Sequence, residues 1–200
     1  SAVQLGSFQE MVFHRDPENK IRFKYKWNLQ DPLKFKDPVS GNNFSGDKLS
    51  FEAEVGLGVK DQHSLVVDHL RYKIMENNET TTSIGMERKS GSKAEYKVEA
   101  EKYALKRQKG RVWYPGAPVR FYGFPDEVVA YHQNADFVQS LNFEHEKLFG
   151  MLSYLGPLRI KTERLYSWTG IEPESVGYSG ENTVAAILAA RNRKISLVKP

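Results

Sequence analysis

Cysteine is absent from the 200-residue chain. That single absence excludes structural disulfides, thiolate metal sites and a cysteine nucleophile, and it agrees with a reducing, cytoplasmic location. No apolar run approaches the roughly 18–20 residues needed to span a bilayer, and no stretch reads as a signal peptide, so a soluble protein without a membrane partner is expected. Internal repeats and low-complexity tracts are missing as well. Catalytic signatures are equally scarce. No G-x-x-x-x-G-K-[ST] phosphate loop occurs: "SGSK" at 90–93 comes nearest, and Ala94 stands where the hydroxyl is required. "GLG" at 56–58 is half of a dinucleotide fingerprint and is better explained as a bulge or strand end. With no G-x-S-x-G elbow, hydrolase chemistry finds no support.

The length suffices for one sizeable core, or for one large domain with a smaller appendage. Twenty-nine basic side chains against 25 acidic ones leave a mild +4, so any case for an anionic partner rests on placement. Placement is uneven. Between Glu87 and Arg120 stand ten basic residues, Arg88, Lys89, Lys93, Lys97, Lys102, Lys106, Arg107, Lys109, Arg111 and Arg120, against Glu87, Glu95, Glu99 and Glu101. Lys20 to Lys36 carries six basic residues and one acidic one.

The first half alternates as strands do. In "KIRFKYKW", Ile21, Phe23, Tyr25 and Trp27 fall on one face and Lys20, Arg22, Lys24 and Lys26 on the other. "DPLKFKDPVSGNNFSGD" reads as a long turn-rich loop marked by Pro32, Pro38, Gly41 and Gly46. "KLSFEAEVGLG", "SLVVDHLRYKI", "TTSIGMERK" and "AEYKVEAEKYAL" bring the expected total to five or six strands between Lys20 and Leu105, paired antiparallel because their links are short. After the Pro- and Gly-rich stretch from Tyr114 to Pro125, apolar residues recur at three and four: Val128, Val129, Phe137, Val138, Leu141, Leu148 and Phe149. This spacing predicts a helix with Asp126 as its N-cap. "MLSYLGPL" reads as a short strand, and "GENTVAAILAARNRK" as a helix starting near Glu181 with Arg191, Arg193 and Lys194 in its last turn. The pattern implies an α+β arrangement or an insert-bearing α/β fold. Ser1 enters directly into apolar sequence and "ISLVKP" follows the last helix, so a segment of a longer parent is expected.

Two clusters invite chemistry. His132, Glu144, His145 and Glu146 share one expected helix, but His132 and His145 lie 13 residues apart and point in nearly opposite directions. They are expected to be separate surface histidines without function, as are His63 and His69. Lys24, Lys26, Lys97 and Arg107 are the candidate phosphate contacts of a nucleic-acid surface, with Tyr96, Tyr103, Trp113 and Tyr114 available for stacking. The competing reading is a solvated sheet face whose aromatics belong to the core.

Residues 154–181, "YLGPLRIKTERLYSWTGIEPESVGYSGE", concentrate Gly156, Pro157, Gly170, Pro173, Gly177 and Gly180 between two helical segments. "LGPLR" followed by "VG" and "GE" ahead of an apolar helix, together with "VQLGSFQEMVFHRDPENKIRFKY" near the N-terminus, resembles the prokaryotic ABC-type AAA family ATPases, which are RecF/SMC-like and related to OLD-type and Septu-type defence ATPases. The resemblance implies a P-loop NTPase, α/β overall, with this chain lying between the Walker A helix and the signature and Walker B motifs. Residues 1–123 would then be the antiparallel part of the first lobe, 124–153 its helical part, and 154–200 a Q-loop-like turn and the start of the second lobe. It further implies ATP and Mg2+ as cofactors, a homodimer of ATPase heads, action on DNA or RNA, and a nuclease partner in anti-phage defence. The catalytic lysine, magnesium aspartate and general base would lie outside these residues, leaving the segment alone inactive. No glutamine stands at the turn, which departs from the SMC-like pattern. Gly156 and Pro157 are expected to fix the bend and Arg159 to reach phosphate or an inter-lobe carboxylate, a bidentate contact lysine cannot copy; pinning the loop to its own domain is the equal alternative for Arg159. Glu181 is expected in the first helical turn. The rival to the ATPase is a non-catalytic β-rich module that turns its basic faces to nucleic acid or an acidic protein.

Overall fold

The computed structural model describes residues 7–58, 64–89, 95–110, 113–152, 156 and 160–191, and it divides into two compact units, Ser1–Lys147 and Leu148–Pro200. Alternation builds the first. Five strands, β1 (Ile21–Lys36), β2 (Asn43–Leu57), β3 (Leu65–Glu76), β4 (Glu79–Arg88) and β5 (Tyr96–Glu101), pair antiparallel in chain order. A short helix, α1 (Phe8–Met11), precedes them and is closed by a reciprocal cap in which the Ser7 amide donates to Glu10 at 2.7 Å. The β3–β4 connection is a two-residue turn, Asn77–Asn78, with φ of 52° and 66°; asparagine tolerates this left-handed backbone, which matches the twist of the flanking strands.

Between the register shifts the pairing is unbroken, and there inward side chains line up across the sheet. One row reads Phe23, Ala53, Leu70, Met86, Val98, and the next Tyr25, Phe51, Tyr72, Ile84, Ala100. Most of these are buried, and the same unit holds α2 (Asp126–Tyr131), burying Val128 and Tyr131, and all but the last three residues of α3 (Phe137–Gly150), burying Phe137, Val138, Leu141 and His145. The opposite face carries the charges.

The expected loop over residues 31–47 is instead mostly hairpin. β1 is irregular only between Asn28 and Leu33, then Leu33–Lys36 pair with Gly46–Asn43, leaving Asp37–Asn42 as the turn. Pro32 sits at that irregularity, where a missing N–H does no harm. Phe35 stacks on Phe44 at 5.3 Å and on Phe137 at 4.4 Å, so the distal hairpin is held by aromatic packing. The expected single helix is also broken. Residues 132–134 are drawn away to pair with 106–108: Arg107 bridges His132, the Gln108 amide donates to Tyr131 O at 2.8 Å, and the Gln133 amide donates to Lys106 O at 2.8 Å. Nor does Asp126 cap α2. Pro125 is the N-cap and Asp126 the first helical residue. Among the described residues no helix is long and apolar enough to cross a membrane.

One polar knot ties these corrections together. The buried Asp37 carboxylate accepts hydrogen bonds from the amides of Val39 and Ser40, from Ser40 Oγ at 2.6 Å and from Asn134 Nδ2 at 2.8 Å. Asn134 Nδ2 also reaches Ala104 O at 2.9 Å, and its Oδ1 accepts from the Lys106 amide at 2.9 Å. Burial opposes the charge, yet the donors, Asn134 first, bring the carboxyl down to about 2. We predict that Asn134→Ala, which strips a donor from a buried carboxylate, costs about 3 kcal/mol of unfolding free energy in urea titration, whereas Lys73→Ala on the solvated face changes it by less than about 0.5 kcal/mol.

Candidate functional site

The second unit contains α4 (Thr183–Ala190) and the glycine-rich block. Here the structure joins residues far apart in sequence. The Gly156 amide donates to Tyr178 O at 2.7 Å, and the Ile160 amide to Ser179 O at 2.9 Å. Gly156 is buried, and a Cβ there would stand 2.7 Å from the Tyr178 ring, so only glycine allows the contact without displacing it. Gly177 and Gly180 adopt φ of 84° and 81°, which turn the chain into α4. Glu181 does not enter the first helical turn. It precedes α4 and folds back, accepting from the Ser179 amide and hydroxyl at 2.9 Å each. Pro157 and Arg159, and most of the strand expected at 151–158, lie outside the described residues, as do Arg193 and Lys194.

The candidate nucleic-acid residues do not form one patch. Lys24 and Lys26 are exposed on the outer face of β1, whereas Lys97 lies on β5, across the sheet, and is paired with Glu99 at 2.5 Å. Three outer rows show why. They read Arg22, Glu54, His69, Glu87, Lys97; then Lys24, Glu52, Arg71, Gly85, Glu99; then Lys26, Ser50, Lys73, Ser83, Glu101. In the first two rows acidic side chains stand between basic ones, and Arg22 binds Glu54 at 2.7 Å while Arg71 binds Glu101 at 3.1 Å. Arg107 is off this face, stacked over the Tyr131 ring at 4.9 Å. Tyr96 and Tyr103 are core residues rather than stacking platforms, their hydroxyls donating to Val67 O and Asn134 O. Tyr114 is covered by Lys89, 3.6 Å from the ring centre.

The two helix histidines are not surface residues either. His132 is 7% exposed and His145 is fully buried. His145 sits on the inner face with Nε2 2.5 Å from the Tyr25 hydroxyl and Nδ1 2.5 Å from the Tyr72 hydroxyl. Tyr72 gives its only hydroxyl proton to Tyr122 O at 2.9 Å. The geometry therefore assigns the proton order: Tyr25 O–H donates to Nε2, Nδ1–H donates to Tyr72 Oη, and Tyr72 donates to the carbonyl. The Tyr122 ring stacks on the imidazole at 4.2 Å, and Phe51 meets it edge-on at 4.7 Å. At the rim, Arg120 donates to the Tyr122 hydroxyl and pairs with Glu146 at 2.8 Å, and Tyr122 donates to Glu146 at 2.6 Å. Burial pushes His145 down to about 4, with Glu146 opposing weakly, and burial also raises the Tyr25 and Tyr72 hydroxyls. His145 is thus neutral at pH 7. Its signal was present in the helical spacing, since Val138, Leu141 and His145 fall on one stripe. Among the described residues no group of three or more His, Asp or Glu side chains is placed to hold a metal ion.

A histidine held neutral in the fold but free to charge when unfolded weakens the protein as pH falls. Its stabilising contribution is complete above the unfolded value of 6.5 and is lost between there and about 4. We predict that wild type loses roughly 2 kcal/mol more unfolding free energy than His145→Gln between pH 7.5 and 5.0, measured by urea titration at each pH. Equal losses would show that His145 is not the titrating group. Comparison of the chain with family models, with curated proteins and with solved structures gives no match.

Proposed function

We propose that the chain is the central portion of an ABC/SMC-like P-loop ATPase. The observation that carries this reading is the hydrogen bond from the Gly156 amide to Tyr178 O, which sets one residue of "LGPLR" against one residue of "VGYSGE", the two motifs on which the resemblance rests. The antiparallel sheet followed by helices is the arrangement that the resemblance implies for the first lobe, and it supports the same reading. Leu165 at 86% exposure and Ile171 at 73% leave apolar surface on the second unit that a further lobe would cover.

In this reading the full-length parent is cytoplasmic, binds ATP with Mg2+ in a dimer of heads, and couples turnover to work on DNA or RNA, with a nuclease partner in anti-phage defence. The Gly156 amide is committed to Tyr178 and does not cradle a phosphate; by the resemblance, Gly156 and Pro157 fix the bend and Arg159 reaches the nucleotide or an inter-lobe carboxylate. Phosphate loop, magnesium aspartate and general base come from polypeptide outside this segment. The alternating charges of the outer face favour the ATPase over a module that tracks nucleic acid along the whole sheet.

In the full-length parent, Gly156→Ala, which forces the Tyr178 ring to move, is expected to lower ATP turnover by about 10-fold to 100-fold, and Arg159→Lys to lower it comparably because the bidentate contact is lost. A phosphate-release assay reads both. Wild-type turnover in both variants, or a parent that does not hydrolyse ATP, would remove the proposal.

A further inference from the structure

β1 is an edge strand of unusual openness. It pairs with β2 alone, and among the described residues its other edge makes no backbone–backbone hydrogen bond. Edge strands are normally short, kinked by proline or bulge, or covered, because unpaired N–H and C=O groups recruit other strands. From Ile21 to Asn28 the register against β2 is unbroken, and Pro32 comes only afterwards. Phe23, stacked on Phe121 at 4.3 Å, and Tyr25, bound to His145, are only half-buried, whereas their β2 partners Ala53 and Phe51 are fully buried, so part of each edge aromatic stays exposed. On the other face Arg22 is bound to Glu54, while Lys24 and Lys26 are exposed and make no ion pair among the described residues.

We propose that this edge accepts an acidic, extended segment of another polypeptide as a sixth strand. Its carboxylates lie opposite Lys24 and Lys26, and its alternate apolar residues cover Phe23 and Tyr25. β2 already displays the matching pattern on the paired side: in "LSFEAEV", Glu52 and Glu54 stand opposite Lys24 and Arg22 while Phe51 and Ala53 face inward. A second copy of the chain is the wrong occupant. Antiparallel pairing of two β1 edges about a two-fold axis sets Arg22, Lys24 and Lys26 against the same row, and like charges directly opposite one another repel. Nucleic acid fits less well, because Glu52 and Glu54 interrupt the positive field one strand, about 4.8 Å, inward. The inference is independent of the ATPase reading.

The probe is a fluorescently labelled peptide, LSFEAEV, titrated with the 200-residue chain by anisotropy. The expected result is saturable binding that is weakened about tenfold or more by Lys24→Glu with Lys26→Glu, and restored to that double variant by LSFKAKV. Hydrogen exchange should slow at amides between Ile21 and Asn28 on binding. The reciprocal rescue separates a charge effect from a folding defect. Absence of binding, equal binding of a same-composition peptide without alternation, or single-stranded DNA binding this edge more tightly than the peptide would each overturn the proposal.

Discussion

The fold of the first unit depends on how His145 is seated. A helix laid on a sheet by apolar contact alone can slide, since burial is non-directional. Two hydrogen bonds to hydroxyls on β1 and β3, the strands that flank β2, remove that freedom. Tyr25 and Tyr72 stand on one inward row, either side of Phe51, and the imidazole of α3 reaches both. Replacing the imidazole with an apolar group would take away the acceptor of the Tyr25 hydroxyl and leave the buried Tyr72 hydroxyl with the Tyr122 carbonyl alone. The Asp37–Asn134 knot holds the distal hairpin, and the Arg120–Tyr122–Glu146 cluster closes the rim. Directional polar contacts embedded in an aromatic layer thereby set the placement of α3.

The charged side chains divide by position. Across the middle of the sheet they neutralise one another strand by strand, which suits a solvated face. At the β1 edge they do not, and there backbone, lysines and half-covered aromatics coincide. The glycine-rich block of the second unit presents a different kind of surface, a bend closed on Tyr178 by a residue with no side chain. We propose different partners for the two: a strand for the edge and a nucleotide-bearing lobe for the bend.

Much of this was legible in the sequence. The strands were, because period-two alternation in "KIRFKYKW" and "KLSFEAEV" reports a half-buried sheet directly. The distal hairpin was not, since Pro32 and Gly41 signal turns locally while the stacking of Phe35 on Phe137 that overrides them is long-range. The break between α2 and α3 was hidden for the same reason: its cause is backbone pairing with 106–108, which no periodicity carries. The burial of His145 is carried by its own helical stripe with Val138 and Leu141, which its separation from His132 does not reveal. Between base stacking and core, Tyr96 alternates with Val98 and Ala100 and so belongs to the inward row, whereas Tyr103, past the end of β5, is buried by long-range packing on Phe35, Phe44 and Phe137 that no period carries. Of the bend, the sequence showed the glycines and prolines, and the contact of Gly156 with Tyr178 required coordinates.

Nitrogen-15 NMR of the histidine rings reads the proton positions on which the seating of α3 depends. We predict that His145 at pH 7 shows a protonated Nδ1 and an unprotonated Nε2, with no titration until the pH nears 4. A protonated Nε2 with bare Nδ1, or an imidazolium at neutral pH, would contradict it.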